Sequence, residues 1–233
     1  MKKRQRSLDY VSLLAGITLL VISSCNKTTS TSPFQYGSVS DFEGNAYNTI
    51  QIGSQTWMAE NLRSVKLSDG SSIAKVTDQT TWSNLTTPAY CFYDNDSVSA
   101  KYNFGALYNW YVVDTKKLCP TGWHVPNIDD WIALSTLLGV DSLAGGTLKE
   151  AGTSKWATPN LYGTNEYGFN AIPSGYRFYN GSFQNVGYSG NYWSATEYTP
   201  SKAWYLYLTY SNGKLSKNSY DKTYGFSVRC IKN

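Results

Sequence analysis

One stretch of this chain reads as a convincing helix, and its shortness dictates much of the architecture. Asn127 can cap a helix whose N3 position is Asp130, apolar side chains recur at 128, 131, 132, 134, 137 and 138, and Gly139 stops it. The spacing predicts a helix over Ile128–Leu138. Isolated helices shorter than about 12 to 15 residues are marginal in water, so this one needs a sheet to cover. A second, shorter helix is expected over Thr147–Ala151, ended by Gly152.

The rest reads as strands and turns. Tyr47–Ile52 and Gln55–Met58 are β-prone segments around Gly53-Ser54, a two-residue hairpin signal. Trp204, Leu206, Leu208 and Tyr210 alternate with Tyr205, Tyr207 and Thr209, then Asn212-Gly213 makes a turn and Lys214–Ser219 returns. One face of Ala203–Tyr210 should therefore be buried, with Tyr205 and Tyr207 facing the other way; if that face is solvent, it is an aromatic surface for a ligand. Phe226, Val228 and Cys230 share one face of a last strand. The expected fold class is α+β: short, twisted antiparallel strands with one main helix packed through Trp131 and Leu134. With 8 Trp, 20 Tyr and 8 Phe, the core can be built largely from rings.

The amino terminus reads as an address. Lys2, Lys3, Arg4 and Arg6 precede an apolar run from Val11 to Ile22, followed by Ser23-Ser24-Cys25. This is the layout of a secretory signal, and the run is too short for a membrane span. Ile-Ser-Ser before a cysteine resembles the bacterial lipobox, which implies lipidation of Cys25 and a mature protein anchored to a membrane without spanning it. Asn26 follows in place of a retention aspartate, so the outer membrane is expected, with its periplasmic and extracellular faces both open. Residues 1–24 are then a signal peptide, 25–38 a Ser/Thr-rich tether, and 39–233 one domain without a fixed-period repeat.

Several reaction classes are excluded. Without the signal, 16 Lys and Arg face 15 Asp and Glu, so nothing marks a nucleic-acid footprint. The single histidine, His124, rules out sites needing two imidazoles, and no CxxC pair is present. Asp129 and Asp130 point about 100° apart on a helix, and Glu60, Glu150, Glu166 and Glu197 stand singly, so no pair is marked for acid and base work. Glu60 is expected to cap or bridge the first hairpin. No catalytic residue is assigned and no enzyme is expected.

Six ordered segments carry a resemblance. They are Ile52–Leu62, Tyr90–Asp96, Tyr102 with Gly105–Trp110, Cys119–Pro126 with Trp131, Tyr192–Glu197 and Gly225–Cys230. Together they resemble the Fibrobacter succinogenes major paralogous domain of secreted proteins and lipoproteins of the Bacteroidetes and Fibrobacteres, a family without an established reaction. A weaker, fold-level likeness runs to the C-type-lectin-like and formylglycine-generating-enzyme-like folds, where a helix after a Gly-Trp segment and a Trp-Ser motif precede a last strand carrying a cysteine; fold likeness does not transfer activity. That likeness implies a disulfide between Cys119 and Cys230, leaving Cys91 a buried, inert thiol. The lectin sugar pattern is replaced by Ile172-Pro-Ser-Gly and Trp193-Ser-Ala-Thr, so lectin-type calcium-dependent sugar binding is not implied.

The remaining candidates concern binding. Aromatic rings interspersed with Gly and Asn suit sugar rings or protein partners, and Tyr176, Phe178, Tyr179 and Asn180, with Tyr205 and Tyr207, are the candidate ligand residues. Asp94 and Asp96 sit in an oxygen-rich turn that could hold Ca²⁺, although an Asx-rich surface turn is the favoured reading. His124 is expected to be a structural, hydrogen-bonding histidine. The expectation for the whole is a monomeric, lipid-anchored envelope module recognising a glycan or a cell-surface protein. An enzyme acting on extracellular polysaccharide and a purely structural envelope component are the alternatives.

Overall fold

The computed structural model describes residues 33–139 and 143–233. The signal, Cys25 and the tether as far as Ser32 lie outside the described residues. In chain order the strands are β1 (Gly37–Ser40), β2 (Ala46–Ile52), β3 (Gln55–Met58), β4 (Ala74–Lys75), β5 (Ala89–Cys91), β6 (Leu107–Tyr108), β7 (Trp123–His124), β8 (Ser174–Arg177), β9 (Phe183–Val186), β10 (Ser189–Thr199), β11 (Lys202–Thr209), β12 (Ser216–Asp221) and β13 (Ile231–Lys232). They form three sheets of order β1-β2-β3-β13-β7, β12-β11-β10-β8-β9 and β4-β5-β6. The domain is α+β with strand predominating. Pairing is antiparallel as expected, apart from the parallel pairs β8–β10 and β4–β5.

The main helix, α4, spans Ile128–Leu137, after the short α1 (Gln79–Ser83), α2 (Ser99–Phe104) and α3 (Trp110–Asp114) that the sequence did not announce. Asn127 accepts from the backbone N–H groups of Asp129 and Asp130 while Asp130 accepts from that of Asn127, a complete capping box. Only Trp131 and Leu134 are fully buried, whereas Ile132 and Leu137 stay exposed, so the apolar stripe is narrower than its spacing suggested. Trp131 packs 4.7 Å from Trp57 of β3 and 6.0 Å from Tyr192 of β10, so the helix covers the place where the two large sheets meet.

The segment Gly225–Cys230 joins everything else. It bonds β6 through Tyr108, β10 through Trp193 and Asn191, and β3 through Met58. Phe226, Val228 and Cys230 lie in one apolar cluster with Trp193, Tyr205 and Tyr108, as their shared parity predicts, and Ile231 enters the other with Trp57 and Trp131. Cys119 and Cys230 form the disulfide, with Cα atoms 5.9 Å apart and a sequence separation of 111. In the chain-entropy account a loop of that size contributes roughly 5 kcal/mol.

Four boundaries move. Phe34 and Tyr36 pack on the second cluster, Tyr36 donates to the Gly168 carbonyl, and β1 starts at Gly37, so the fold begins before the expected end of the tether at residue 38. Thr147–Ala151 is no helix, only a 3₁₀ turn over Gly146–Leu148. The reason is Lys149, whose fully buried ammonium donates to the carbonyls of Leu161, Thr209 and Asn212 and draws the chain inward. The return strand begins at Ser216, because the Asn212-Gly213 turn is tied to Gly146 instead of closing a tight hairpin. Of the last strand, only Ile231–Lys232 joins a ladder, and Gly225–Cys230 runs extended between sheets.

Candidate functional site

Two regions could contact a ligand. The first grows from the β8–β9 hairpin, whose tip closes when Gly181 donates to the Phe178 carbonyl and Asn180 Oδ1 accepts from Ser182. Gly181 has φ +87°, and a Cβ there would fall 2.6 Å from the Gln79 carbonyl oxygen, so only glycine fits. Arg177 sets the base. Fully buried, it donates to the carbonyls of Gly181, Val76, Thr77 and Asp78 and lies 4.3 Å from the Trp82 ring centroid and 4.9 Å from that of Phe183.

On this base the rings run together. Phe178 lies 4.4 Å from Tyr179 and 5.1 Å from Tyr224; Tyr224 stacks on Tyr220 at 4.5 Å with the planes 2° apart. Tyr220 stacks on Tyr205 at 5.1 Å, and Tyr205 on Tyr207 at 5.5 Å. The two aromatic groups suggested by the sequence are thus one continuous array, joined by Tyr220 and Tyr224, which the sequence reading missed. Tyr179 (47% exposed) and Tyr220 (36%) face solvent, with Asn180 beside the former and Tyr176, Phe178 and Tyr207 half-buried. Tyr176 donates to Gln184.

Tyr205 corrects an expectation. Its side of β11 is not open, because the rings of Tyr220 and Phe226 stack on it at 5.1 and 4.6 Å, leaving it 4% exposed; it is a floor, not a contact. Burial, reinforced by the neighbouring Tyr220, pushes the hydroxyls of Tyr205 and Tyr224 well above the usual tyrosine range.

The second region is a polar cleft of about 310 Å³ that no motif announced. Its floor is Arg229, fully buried, with Nε on Asn61 Oδ1 (2.8 Å) and the terminal nitrogens on the carbonyls of Met58, Phe169 and Asn170. Burial lowers its pKa. Glu60 accepts from the Asn48 backbone N–H across the β2–β3 hairpin, as expected of a bridging residue, and pairs with Arg63 at 3.1 Å. The one sequence signal was Arg229 itself, a cation between the apolar Val228 and Cys230.

The other candidates fall outside both regions. Asp96 accepts from the backbone N–H groups of Val98 and Ser99, which lowers its pKa and makes it an Asx turn leading into α2. Asp94 sits at φ +50° in that turn, and among the described residues no group of three or more His, Cys, Asp or Glu side chains could hold a metal. Cys91 is a free, fully buried thiol whose pKa burial raises to about 12, which leaves no thiolate for nucleophilic work. His124 hydrogen-bonds Asn233 and Asp130, a structural placement, and its neighbour Cys119 is in the disulfide.

A family model described as the Fibrobacter succinogenes major domain matches residues 50–232. No curated protein and no solved structure matches the chain.

Proposed function

The chain belongs to the Fibrobacter succinogenes major domain family, and on that premise we propose that it is a lipid-anchored binding module of the cell envelope that recognises a glycan without catalysing a reaction. The observation that carries this is the ring array ending at Tyr179 and Tyr220. Flat faces pack on the C–H surfaces of a sugar, while tyrosine hydroxyls and the carboxamides of Asn180 and Gln184 can satisfy its hydroxyls. The rings are held from behind by Tyr224, Tyr205 and Phe226, so little ordering entropy remains to be lost on binding.

Further parts of the reading rest on sequence and topology. The lipobox supports an anchor at Cys25, with Asn26 favouring the outer membrane. A C-type-lectin-like character is supported by the disulfide from the segment before α4 to the end of the chain and by the helix laid across two sheets. The ligand site lacks the lectin calcium pattern, so recognition by rings in place of a metal is the consistent choice.

Glycan-array binding with the mature protein tests the function. Tyr179→Ala and Tyr220→Ala should each abolish most of the signal on any hit while far-UV circular dichroism stays native. A hit that is turned over into product would make the protein an enzyme, and binding confined to protein ligands would make the array a protein-recognition face.

A further inference from the structure

We propose that the cleft over Arg229 is a separate site for an acidic sugar unit, a ring carrying one carboxylate and several hydroxyls. The charge balance comes first. Arg63, Lys101, Lys155 and Arg229 line the cleft; Arg63 is paired with Glu60, and Lys155 with Glu150, each at 3.1 Å. Lys101 and Arg229 form no salt bridge among the described residues; the oxygens that hydrogen-bond Arg229 are neutral carbonyls and an amide, and the Glu60 and Glu150 carboxylates act on it only at longer range, so four cations face two carboxylates around the cleft. Backbone dipoles solvate such a guanidinium but do not cancel its charge, so its field reaches into the cleft and favours an anion.

The remaining groups specify what the anion is attached to. The carboxamides of Asn48 and Asn170 make no hydrogen bond to the described residues, and each offers a donor and an acceptor to vicinal hydroxyls. Asn103 uses its Nδ2 on Ser99 and keeps Oδ1 available. At the rim the Tyr102 ring is 72% exposed and stands 5.7 Å from Lys101 Nζ, a face for a sugar ring beside a cation for its acid. A phosphate is held best by an open guanidinium fork or a row of backbone N–H groups, and Arg229 has its fork occupied already. The Lys101 ammonium attracts either anion as a point charge, so preference for a sugar carboxylate rests on the free amides and the Tyr102 face, which a bare phosphate cannot use. The volume, near the lower end of the roughly 300–1,000 Å³ of small-molecule sites, suits one or two rings.

The test is titration of the full mature protein in detergent with glucuronate, glucose and inorganic phosphate at low ionic strength, read by calorimetry and by NMR shifts of cleft residues. Glucuronate should bind at least tenfold more tightly than either comparator and lose affinity as salt rises. Lys101→Ala should weaken it about 5- to 10-fold and Tyr102→Ala about 3-fold. Both side chains are at least partly exposed, so folding should survive. Tyr179→Ala should leave this binding unchanged, which separates the site from the aromatic array. Glucose or phosphate binding as tightly as glucuronate, or full affinity in Lys101→Ala, overturns the proposal.

Discussion

The aromatic array and the polar cleft are each built over one buried arginine, and they differ in where its charge can go. Arg177 beneath the array is held by the carbonyls of Val76, Thr77, Asp78 and Gly181 and flanked by Trp82 and Phe183, and the surface that results is neutral and made of rings. Arg229 has the same kind of carbonyl cradle and the Phe169 ring 4.5 Å away, yet it also lines an open cleft. One device thus serves two ends. In the first region the guanidinium fixes a loop, and in the second it both fixes the chain and gives the surface a sign.

The largest loss is expected where the two regions share a support. Both lean on Gly225–Cys230, through Phe226 under the rings and Arg229 under the cleft, and the disulfide fastens that segment. Cys119→Ala with Cys230→Ala should cost roughly 5 kcal/mol in the chain-entropy account, visible as a large drop in the urea midpoint, and both regions should be lost in one transition. Separate transitions would mean that the segment is not their common support.

Next in size are substitutions aimed at one region. Arg229→Met strips four neutral oxygens of their donor and should cost about 3 to 5 kcal/mol, with the array's near-UV signal recovering on refolding. Tyr224→Ala removes a 4% exposed ring and should cost about 3 kcal/mol or more from the cavity it leaves. NMR shifts should follow the division, the first variant disturbing Asn61 and Asn170 and the second Phe178 and Tyr220.

How these regions could be read from sequence follows the same division. The tip Phe178–Gly181 was legible because its signals are local, a Gly and an Asn among rings. Parity placed Tyr205 and Tyr207 on one face of β11 correctly, but parity says which side a residue takes and not what later chain covers it. The cover on Tyr205, the rings of Tyr220 and Phe226, arrives from 15 or more residues downstream. The cleft was illegible for a stronger version of that reason: Asn48, Lys101, Lys155 and Arg229 come from four distant segments, and only Arg229, a cation between apolar neighbours, carries a local signal. The capping box at Asn127 and the hairpin at Gly53, both local, came out as expected, whereas Lys149 overrode a local helix signal with three tertiary hydrogen bonds.

A smaller effect sharpens the contrast through pH. Tyr205 and Tyr224 have folded-state pKa values raised above the ordinary tyrosine value of 10.0, mainly by burial. The unfolded chain therefore loses these protons first, and the stability they contribute is fully present below about pH 10 and is lost as pH rises beyond it. Chemical unfolding between pH 8 and 11.5 should show that decline, and Tyr205→Phe with Tyr224→Phe should make it measurably shallower, the remainder coming from other buried tyrosines such as Tyr47, Tyr108 and Tyr192, whose hydroxyl pKa values burial also raises. An unchanged slope in the double variant would place the alkali sensitivity outside the array.

The smallest effect on stability should come from Tyr179→Ala, and there the two kinds of surface part most clearly. The ring is 47% exposed and touches Phe178 and Tyr224 from outside, so its loss should lower stability by only about 1 kcal/mol, a small shift of the urea midpoint. If the array exists to bind, the same change should remove most affinity for a glycan, because a preorganised exposed ring is where contact energy concentrates. A structural wall would behave oppositely, losing stability and no affinity. Measuring both quantities on this one variant distinguishes a face kept for a ligand from a face that is merely the outer layer of a ring-rich core.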